Sequence, residues 1–285
     1  STDVMGRLLA AHLQTAWGQS AIVENRSGAG GTIGTAEVVR NKGDGHTILI
    51  GNPGPNAFAY SIFKNLTYQK DQLQPVSNMI RIPNIVSAHS STGIKSIPEL
   101  IAYLKANPDK LTYGSSGTGQ SPHLTGAWFL QLTGLKMTHV PFRGAGPALQ
   151  AGLAGDIQIL FDNLYPSLPQ VLDGKLNGLC VTTAERSDAA PKLPTMRDSA
   201  PELSKFEVSS WFGVFLPKAT PAPIVDELNR QVKAMLERDD VNKNIAGMGA
   251  RPDHGTPQQF TDFVDAETKK FAVIIEKEGL QMEVK

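Results

Sequence analysis

Apolar residues in the middle of the chain form short runs typical of buried strands, separated by stretches with helical spacing. The strand-like runs lie near 111–114, 136–142 and 157–161, and each ends in small, polar or glycine-rich residues. Helical patterns follow the first two runs, and a shorter one follows the third. Because strands that alternate with helices are joined by right-handed crossovers, this pattern predicts a parallel sheet.

The loops at the carboxyl ends of these strands are the predicted binding site, because ligands of parallel sheets bind at this edge against helix N-termini. The loops are 115–121, 143–147 and 162–166. Two of them offer unpaired main-chain N–H groups at a helix start, which favour an anion. Asp162 directly follows its strand, where it could accept from loop N–H groups, pair with Arg143, or hold a water or a ligand amine.

The same periodicities predict further elements on both sides of this region. A helix begins at Ser1, a short strand lies at 21–23, a buried strand at 46–51, and C-terminal helices begin near 220 and 256. An α/β chain that starts with a helix is unusual, and the first residues lack the features of a signal peptide. We therefore expect that a leader and a first strand precede this sequence.

Two extended runs, 82–88 and 207–217, flank the central region and are the candidates for strands that cross between two domains. The predicted organisation is two α/β lobes joined by two crossing strands, with a cleft between them. Lobe 1 is built from 1–86 plus 214–285, and lobe 2 from 87–213.

Composition narrows the class of protein. The 285 residues carry 27 Lys and Arg against 27 Asp and Glu, and no basic stripe of the kind that binds nucleic acid is visible. No run reaches the 18 consecutive apolar residues of a membrane span. The single cysteine, Cys180, excludes an internal disulfide and a cysteine metal cluster, and its apolar surroundings predict a small buried core residue.

The glycine-rich segments do not fit nucleotide-binding loops. Residues 28–33, GAGGTI, have Ile33 where the G-x-G-x-x-G motif needs its last glycine. The segment 114–121 has no lysine to reach the phosphates of a nucleotide. The sequence therefore indicates no nucleotide cofactor, and no other cofactor is predicted.

A catalytic or metal site is also disfavoured by spacing. Ser116, His123 and Asp162 could form a hydrolase triad, but the segment around Ser116 misses the final glycine of G-x-S-x-G, and His123 follows only seven residues later. The histidines show no metal-ligand spacing. They are His12, His46, His89, His123, His139 and His254. No metal site is predicted.

Four segments resemble one protein family. They are VENRSGAGGTIGTAEVV (23–39), YGSSGTGQSPHLTG (113–126), HVPFRGAGPALQAGLAGDIQILFDN (139–163) and ATPAPIVDELN (219–229). In this order they are similar to the Bug/TctC proteins, the extracytoplasmic solute receptors of tripartite tricarboxylate transporters in Gram-negative bacteria. The resemblance implies a type 2 periplasmic-binding-protein fold that closes on a small carboxylate, a periplasmic location, membrane permease subunits as partners, and no enzymatic activity.

Carried over by position, the resemblance implies a set of ligand-binding residues. They are Asn52, Pro53, Ser115, Ser116, Gly117, Thr118, Gly119, Gln120, His123, Gly144, Ala145, Asp162 and Asn163. The family also uses a glycine-rich loop after its first strand, and most of that loop would precede Ser1.

The identity of the carboxylate stays open between dicarboxylates, tricarboxylates, aromatic carboxylates and acidic amino acids. Phe58, Trp211 and Phe212 are candidates for contacts with the rest of the ligand. Two other functions remain as alternatives: a serine hydrolase using Ser116, and the small-molecule effector domain of a regulator.

Overall fold

The computed structural model describes residues 1–277 and 279–283. Its helices are α1 (Thr2–Trp17), α2 (Thr32–Val39), α3 (Ala59–Ile62), α4 (Ile97–Ala106), α5 (Ser121–Thr133), α6 (Ala145–Ala154), α7 (Leu164–Leu172), α8 (Ala222–Leu236), α9 (Asp239–Gly247) and α10 (Pro257–Lys277). Its strands are β1 (Leu49–Gly51), β2 (Leu73–His89), β3 (Thr112–Ser115), β4 (Thr138–Pro141), β5 (Ile159–Asn163), β6 (Leu176–Val181), β7 (Ser209–Pro217) and β8 (Arg251–Pro252). The described helices do not include one with the length and apolar character of a membrane span.

Contacts divide the chain into two compact units. Unit 1 contains Ser1–Arg81, Trp211–Ala246 and Arg251–Lys285, and unit 2 contains Ile82–Ser210 and Gly247–Ala250. The strands β2 and β7 each have residues in both units. The lobes predicted from the sequence have their boundaries at 86/87 and 213/214.

Unit 2 contains the predicted parallel strands. Strand β3 pairs in parallel with β4 on one side and with β5 on the other. Residues 84–88 of β2 then pair antiparallel with β5, and β6 pairs antiparallel with β2. The order within unit 2 is therefore β4-β3-β5-β2-β6, and the ends of β3, β4 and β5 that precede α5, α6 and α7 lie at one edge.

The core of unit 2 forms where α6 covers this sheet. Ala148, Leu149 and Ala151 of α6 are buried against Ile157 and Leu160, which lie before and within β5. Small residues on the inner face of α6 let the helix approach the strand closely, and this fixes where its N-terminus lies. Cys180 in β6 is fully buried, which confirms its prediction as a core residue.

Unit 1 has its own sheet and an aromatic core. Strand β7 lies between β1 and β2, and β8 pairs antiparallel with β2. Trp211 of β7 packs edge-on against Phe260 of α10, with ring centroids 5.7 Å apart. Phe58 packs against Phe271 of α10 at 4.2 Å. These contacts bury the face of α10 that carries the phenylalanines.

Two of the elements expected in unit 1 differ from the structure. The predicted strand at 21–23 is wrong, because these residues have no strand hydrogen bonds and the Ile22 side chain is 85% exposed. The strand predicted at 46–51 is shorter, since only Leu49–Gly51 pair with β7. A run of two or three apolar residues is a weak signal, because a strand also needs a partner edge.

Candidate functional site

Two loops at the carboxyl edge of the unit 2 sheet lie side by side. The loop after β3 connects Ser115 to α5, and the loop after β4 connects Pro141 to α6. The Phe142 N–H donates to the Ser115 carbonyl at 3.0 Å, and the Gly144 N–H donates to the Ser116 carbonyl at 3.2 Å. These two bonds continue the β3–β4 ladder beyond the strands, so the two loops form one surface.

Three glycines give this surface its backbone shape. Gly117, Gly119 and Gly144 have φ values of +139°, +79° and +114°, a region that residues with a Cβ atom rarely adopt. A Cβ atom on Gly117 would also lie 3.3 Å from the Phe142 carbonyl oxygen. The close approach of the two loops therefore depends on glycine at this position.

Ser115, His123 and His139 fix the conformation of the loop after β3. The Ser115 Oγ accepts from the Gly117 N–H at 3.3 Å and lies 2.7 Å from Nε2 of His139. Nδ1 of His123 accepts from the Gly119 N–H at 3.1 Å, so the proton of neutral His123 is on Nε2. The His123 and His139 rings stack with their centroids 4.1 Å apart.

Burial keeps both imidazoles neutral. It lowers the pKa of His123 to about 4. Burial and the neighbouring His123 together lower the pKa of His139 to about 3. The histidines therefore bring no positive charge to the site at neutral pH, and act as hydrogen-bonding and packing groups.

Two helices begin at this surface. Helix α5 starts at Ser121 after Gln120 as its N-cap residue, and α6 starts at Ala145 after Gly144. The first N–H groups of a helix have no partner within the helix, and they carry the positive end of its dipole. The surface between the loops therefore offers main-chain donors, with Ser116, Thr118 and Gln120 as partly exposed polar side chains.

Asp162 and Asn163 lie at the end of β5, where α7 begins. The fully buried Asp162 carboxylate accepts from the Asn163 N–H and from the Ser167 hydroxyl, both at 2.8 Å. Burial raises the Asp162 pKa to about 7, although these two hydrogen bonds act in the opposite direction. The hydrogen bonds described for Asp162 thus join it to the start of α7. Arg143, which was predicted as an alternative partner, has an exposed side chain.

Asn163 connects this corner to α5. Its Nδ2 donates to Oδ1 of Asn84 at 2.7 Å, and Asn84 in turn donates to the Ser121 Oγ at 2.7 Å. The structure therefore brings together the predicted residues of unit 2. They are Ser115, Ser116, Gly117, Thr118, Gly119, Gln120, His123, Gly144, Ala145, Asp162 and Asn163.

Asn52 and Pro53, the remaining predicted ligand contacts, belong to unit 1. Oδ1 of Asn52 accepts from the Gly54 N–H at 3.0 Å, and the Asn52 N–H donates to Oδ1 of Asn56 at 3.0 Å. One turn of π-helix, Gly54–Phe58, follows. Asn52 is thus a turn residue at a helix start, and its role in ligand binding stays a prediction.

The aromatic residues proposed for ligand contact have core positions within unit 1. Phe58, Trp211 and Phe212 are each at most 3% exposed. Trp211 and Phe58 pack on the phenylalanines of α10. These two residues therefore contribute to the stability of unit 1.

The bonds around Ser116, His123 and Asp162 do not follow those of a hydrolase triad. In a triad the acid accepts from one ring nitrogen of the histidine. Here Nδ1 of His123 accepts from Gly119, and Asp162 accepts from Asn163 and Ser167. In the part of the chain that the structure describes, no three His, Cys, Asp or Glu side chains are grouped as metal ligands.

Sequence reasoning did not single out Asn84 or His139. Asn84 lies within the apolar run IRIPNIVSA (80–88). A polar amide inside such a run is expected to be buried and hydrogen-bonded, and this was the available signal. His139 offered no comparable signal, because its contact with Ser115 depends on the pairing of β3 with β4.

The chain is similar to proteins of one transport family along almost its whole length. The profile described as "Tripartite tricarboxylate transporter family receptor" (TctC) matches residues 5–280. Protein BugT of Bordetella pertussis is 32% identical over 99% of this chain and 86% of its own length.

Solved structures agree with this similarity. The structure of R. palustris Rpa4515 with adipate has a TM-score of 0.93 and 34% identity, covering 98% of this chain and 93% of that one. MatC (Rpa3494) from Rhodopseudomonas palustris with bound malate has a TM-score of 0.90 and 30% identity, covering 96% and 94%. The chain therefore belongs to the TctC family of tripartite tricarboxylate transporter receptors, and it has the α/β fold of periplasmic binding proteins.

Proposed function

We propose that this protein is a periplasmic receptor that binds a small organic carboxylate and delivers it to the membrane permease of a tripartite tricarboxylate-type transporter. The observation that carries the proposal is the joined surface of the β3–α5 and β4–α6 loops. There, two helix N-termini and main-chain N–H groups converge beside neutral histidines. The similar proteins with adipate and with malate support a carboxylate as the ligand class.

The donor set favours a carboxylate over a phosphate. Phosphate sites usually add Arg or Lys to main-chain donors. The segment 115–123 contains neither, and the nearby Arg143 is exposed. Main-chain N–H groups and two helix dipoles suit the single negative charge of a carboxylate group. In this proposal Ser116 and Thr118 add hydroxyl donors, and Asp162 and Asn163 line the adjacent corner.

The proposal is tested by the thermal stability of the protein with a panel of ligands. The panel contains malate, adipate, citrate, benzoate and glutamate, with adipamide as the uncharged control. A carboxylate at about 100 times its Kd should add about 2.7 kcal/mol to the free energy of unfolding, and adipamide should add nothing. If none of the acids stabilises the protein, the proposed function is wrong.

A pair of serine variants tests the location of the site. Ser116→Ala removes a hydroxyl at the loop surface, and its expected effect is a loss of about 1 kcal/mol of binding free energy. Ser204→Ala changes an exposed serine elsewhere in unit 2 and should leave the Kd unchanged. Calorimetric titration with the tightest acid of the panel measures both. If Ser116→Ala binds the acid as tightly as the wild type does, Ser116 does not contact the ligand.

A further inference from the structure

Asn84 is the centre of a buried polar network in unit 2. It lies on β2 with no exposed surface, among buried hydroxyl and amide groups of α5, β5 and the segment after β6. Its direct side-chain partners are Ser121, Thr125 and Asn163. Buried polar groups are costly unless they are paired, so a network of this kind constrains where each partner lies.

The Asn84 amide uses its donors and its acceptor. Nδ2 donates to the Ser121 Oγ at 2.7 Å and to the Thr125 Oγ1 at 2.8 Å. Oδ1 accepts from Nδ2 of Asn163 at 2.7 Å. One side chain thus connects Ser121, the first residue of α5, to Asn163, the last residue of β5. Ser121 borders the surface of the β3–α5 and β4–α6 loops, and Asn163 lies at its adjacent corner.

The main chain of Asn84 is also fixed. Its N–H donates to the Thr182 Oγ1 at 3.1 Å, and its carbonyl accepts from the Thr182 N–H at 3.0 Å. Asn84 lies directly opposite Asn163 in the antiparallel β2–β5 pair. Since both its backbone and its amide are held, Asn84 is a rigid point of attachment.

The proton directions in this network determine how the Asn163 amide is oriented. The Thr125 hydroxyl donates to the Ser121 carbonyl at 2.8 Å, so its oxygen can only accept from Asn84. Asn84 must therefore direct Nδ2 toward α5 and Oδ1 toward Asn163. Asn163 in turn must direct Nδ2 toward Asn84, which leaves one defined orientation of its amide at the site.

We propose that Asn84 is a positioning residue of the carboxylate site, which sets the orientation of the Asn163 amide and the position of the first turn of α5 without contacting the ligand. This inference rests on the proposed function. Because the contacts of Asn84 connect the start of α5 to the end of β5, both of which would adjoin the same ligand, its loss should lower affinity in protein that is still folded.

The first experiment measures affinity in the whole 285-residue chain. Asn84→Ala should weaken binding of malate or adipate, whichever binds the wild type more tightly, by about tenfold, equivalent to about 1.4 kcal/mol. The matched control is Ser87→Ala, because Ser87 is equally buried on β2 and its Oγ has no hydrogen-bond partner among the described residues. Ser87→Ala should leave the Kd unchanged. If Asn84→Ala does not fold, Asn84→Ser replaces it.

A double-mutant cycle separates positioning from a purely structural role. If Asn84 acts through Asn163, the Asn84→Ala change should weaken binding much less in an Asn163→Ala background than in the wild type. A purely structural role would lower the melting temperature and leave the Kd of the folded protein unchanged. That outcome overturns the inference.

Hydrogen exchange of the ligand-free protein gives a readout that is independent of the ligand. Asn84→Ala should accelerate exchange of the hydrogen-bonded amides that follow the first turns of α5 and α7, and Ser87→Ala should not. If no acid binds the wild type, the proposed function fails while this measurement still tests the positioning. If an acid binds but exchange in these two segments is unchanged, the positioning fails while the proposed function stands.

Discussion

At the level of single residues, the buried His123 and half-buried His139 of unit 2 make its stability depend on pH in one direction, and the buried Asp162 in the other. The pKa values of His123 and His139 are lowered to about 4 and about 3 from 6.5. Their contribution to stability is complete above pH 6.5. It is lost as the pH falls from 6.5 through the lowered pKa values of the folded state, because in that range only the unfolded chain binds protons. The pKa of Asp162 is raised to about 7 from 3.8. As the pH falls, this carboxyl therefore binds its proton in the folded state before it does so in the unfolded state.

Asp162→Asn should therefore change the pH dependence of stability in a defined way. The native state of the wild type loses the contribution of neutral Asp162 as the pH rises from about 4 to about 7, because the unfolded carboxyl ionises first. Asn cannot ionise, and its amide matches the shape of the carboxyl. Relative to the wild type, the variant should gain up to about 4 kcal/mol between pH 4 and pH 8.

Urea denaturation of both proteins at pH 4.5, 6 and 8 measures this difference. The histidines contribute equally to both proteins, so subtraction isolates Asp162. A difference that is independent of pH would mean that Asp162 is solvated or ionised in the folded state throughout. A difference that falls with pH would contradict the direction of the raised pKa.

The place of a residue at the sheet edge was predictable where a local motif reports it. Gly117 and Gly119 lie in the loop after β3, as predicted. The predicted loop at 162–166 is wrong, because Asp162 and Asn163 are the last residues of β5 and α7 begins at Leu164. The partners were not predictable, because Ser167 as the partner of Asp162 and Asn84 as that of Asn163 depend on three-dimensional placement. Asn84 is 79 residues from Asn163 in the sequence.

At the level of elements, the packing of α5 on β3 places the helix N-terminus at the site. Gly126 in the middle of α5 lies over the Tyr113 ring, where a Cβ atom would come within 2.5 Å of Cε2. The Tyr113 ring is itself held by stacking on His139, with centroids 4.8 Å apart, and by an edge contact with Phe161. Glycine at this position lets α5 lie close to the strand.

Gly126→Ala tests this contact against helix propensity. Alanine in a helix interior gains about 1 kcal/mol over glycine, whereas forcing an extra carbon into a packed core costs about 1–3 kcal/mol. Because the Tyr113 ring is rigid and buried, we expect the cost of the clash to exceed the gain in helix propensity. The net result should be a loss of about 1 kcal/mol of stability.

Gly146→Ala in α6 is the matched control, because a Cβ atom there meets nothing within 4 Å. That variant should be as stable as the wild type or more stable. Thermal unfolding of the two variants beside the wild type measures both changes. If Gly126→Ala is as stable as Gly146→Ala, the close approach of α5 to β3 does not restrict this position.

Element type was predicted best where the hydrophobic period is long and flanked by turn residues. The parallel strands β3, β4 and β5 and the helices after them follow from the pattern of 111–163. The strand at 21–23 was wrong, because three residues cannot show whether a neighbouring edge is available. The short segment 247–250 was not predicted to pack with the middle of the chain, since nothing local reports such a contact.

At the level of the whole molecule, neither unit is a continuous stretch of chain. The chain passes between the units at 81/82, 210/211, 246/247 and 250/251. Gly249, in the last short segment, lies against α7 of unit 2, where a Cβ atom would be 2.7 Å from Cδ2 of Leu164. Met248 and Ala250 of the same segment are also buried, and each unit consists of several separate segments of the chain.

This connectivity predicts that the two units unfold together. Strand β2 has 17 residues; Ile80 and Arg81 pair with β8 in unit 1, while residues 84–89 pair with β5 and β6 in unit 2. Unfolding of one unit therefore removes the support of a strand that the other needs. The three tryptophans allow a test, because Trp128 belongs to unit 2, whereas Trp17 and Trp211 belong to unit 1.

The variant Trp17→Phe/Trp211→Phe keeps the reporter of unit 2, and Trp17→Phe/Trp128→Phe keeps that of unit 1. In urea, the fluorescence midpoint of each variant should coincide with its own circular-dichroism midpoint, as in a cooperative two-state transition. Comparison within each variant removes the effect of the substitutions on stability. Fluorescence and dichroism midpoints that separate in either variant would mean that one unit keeps its fold without the other, and that the shared strands do not couple them.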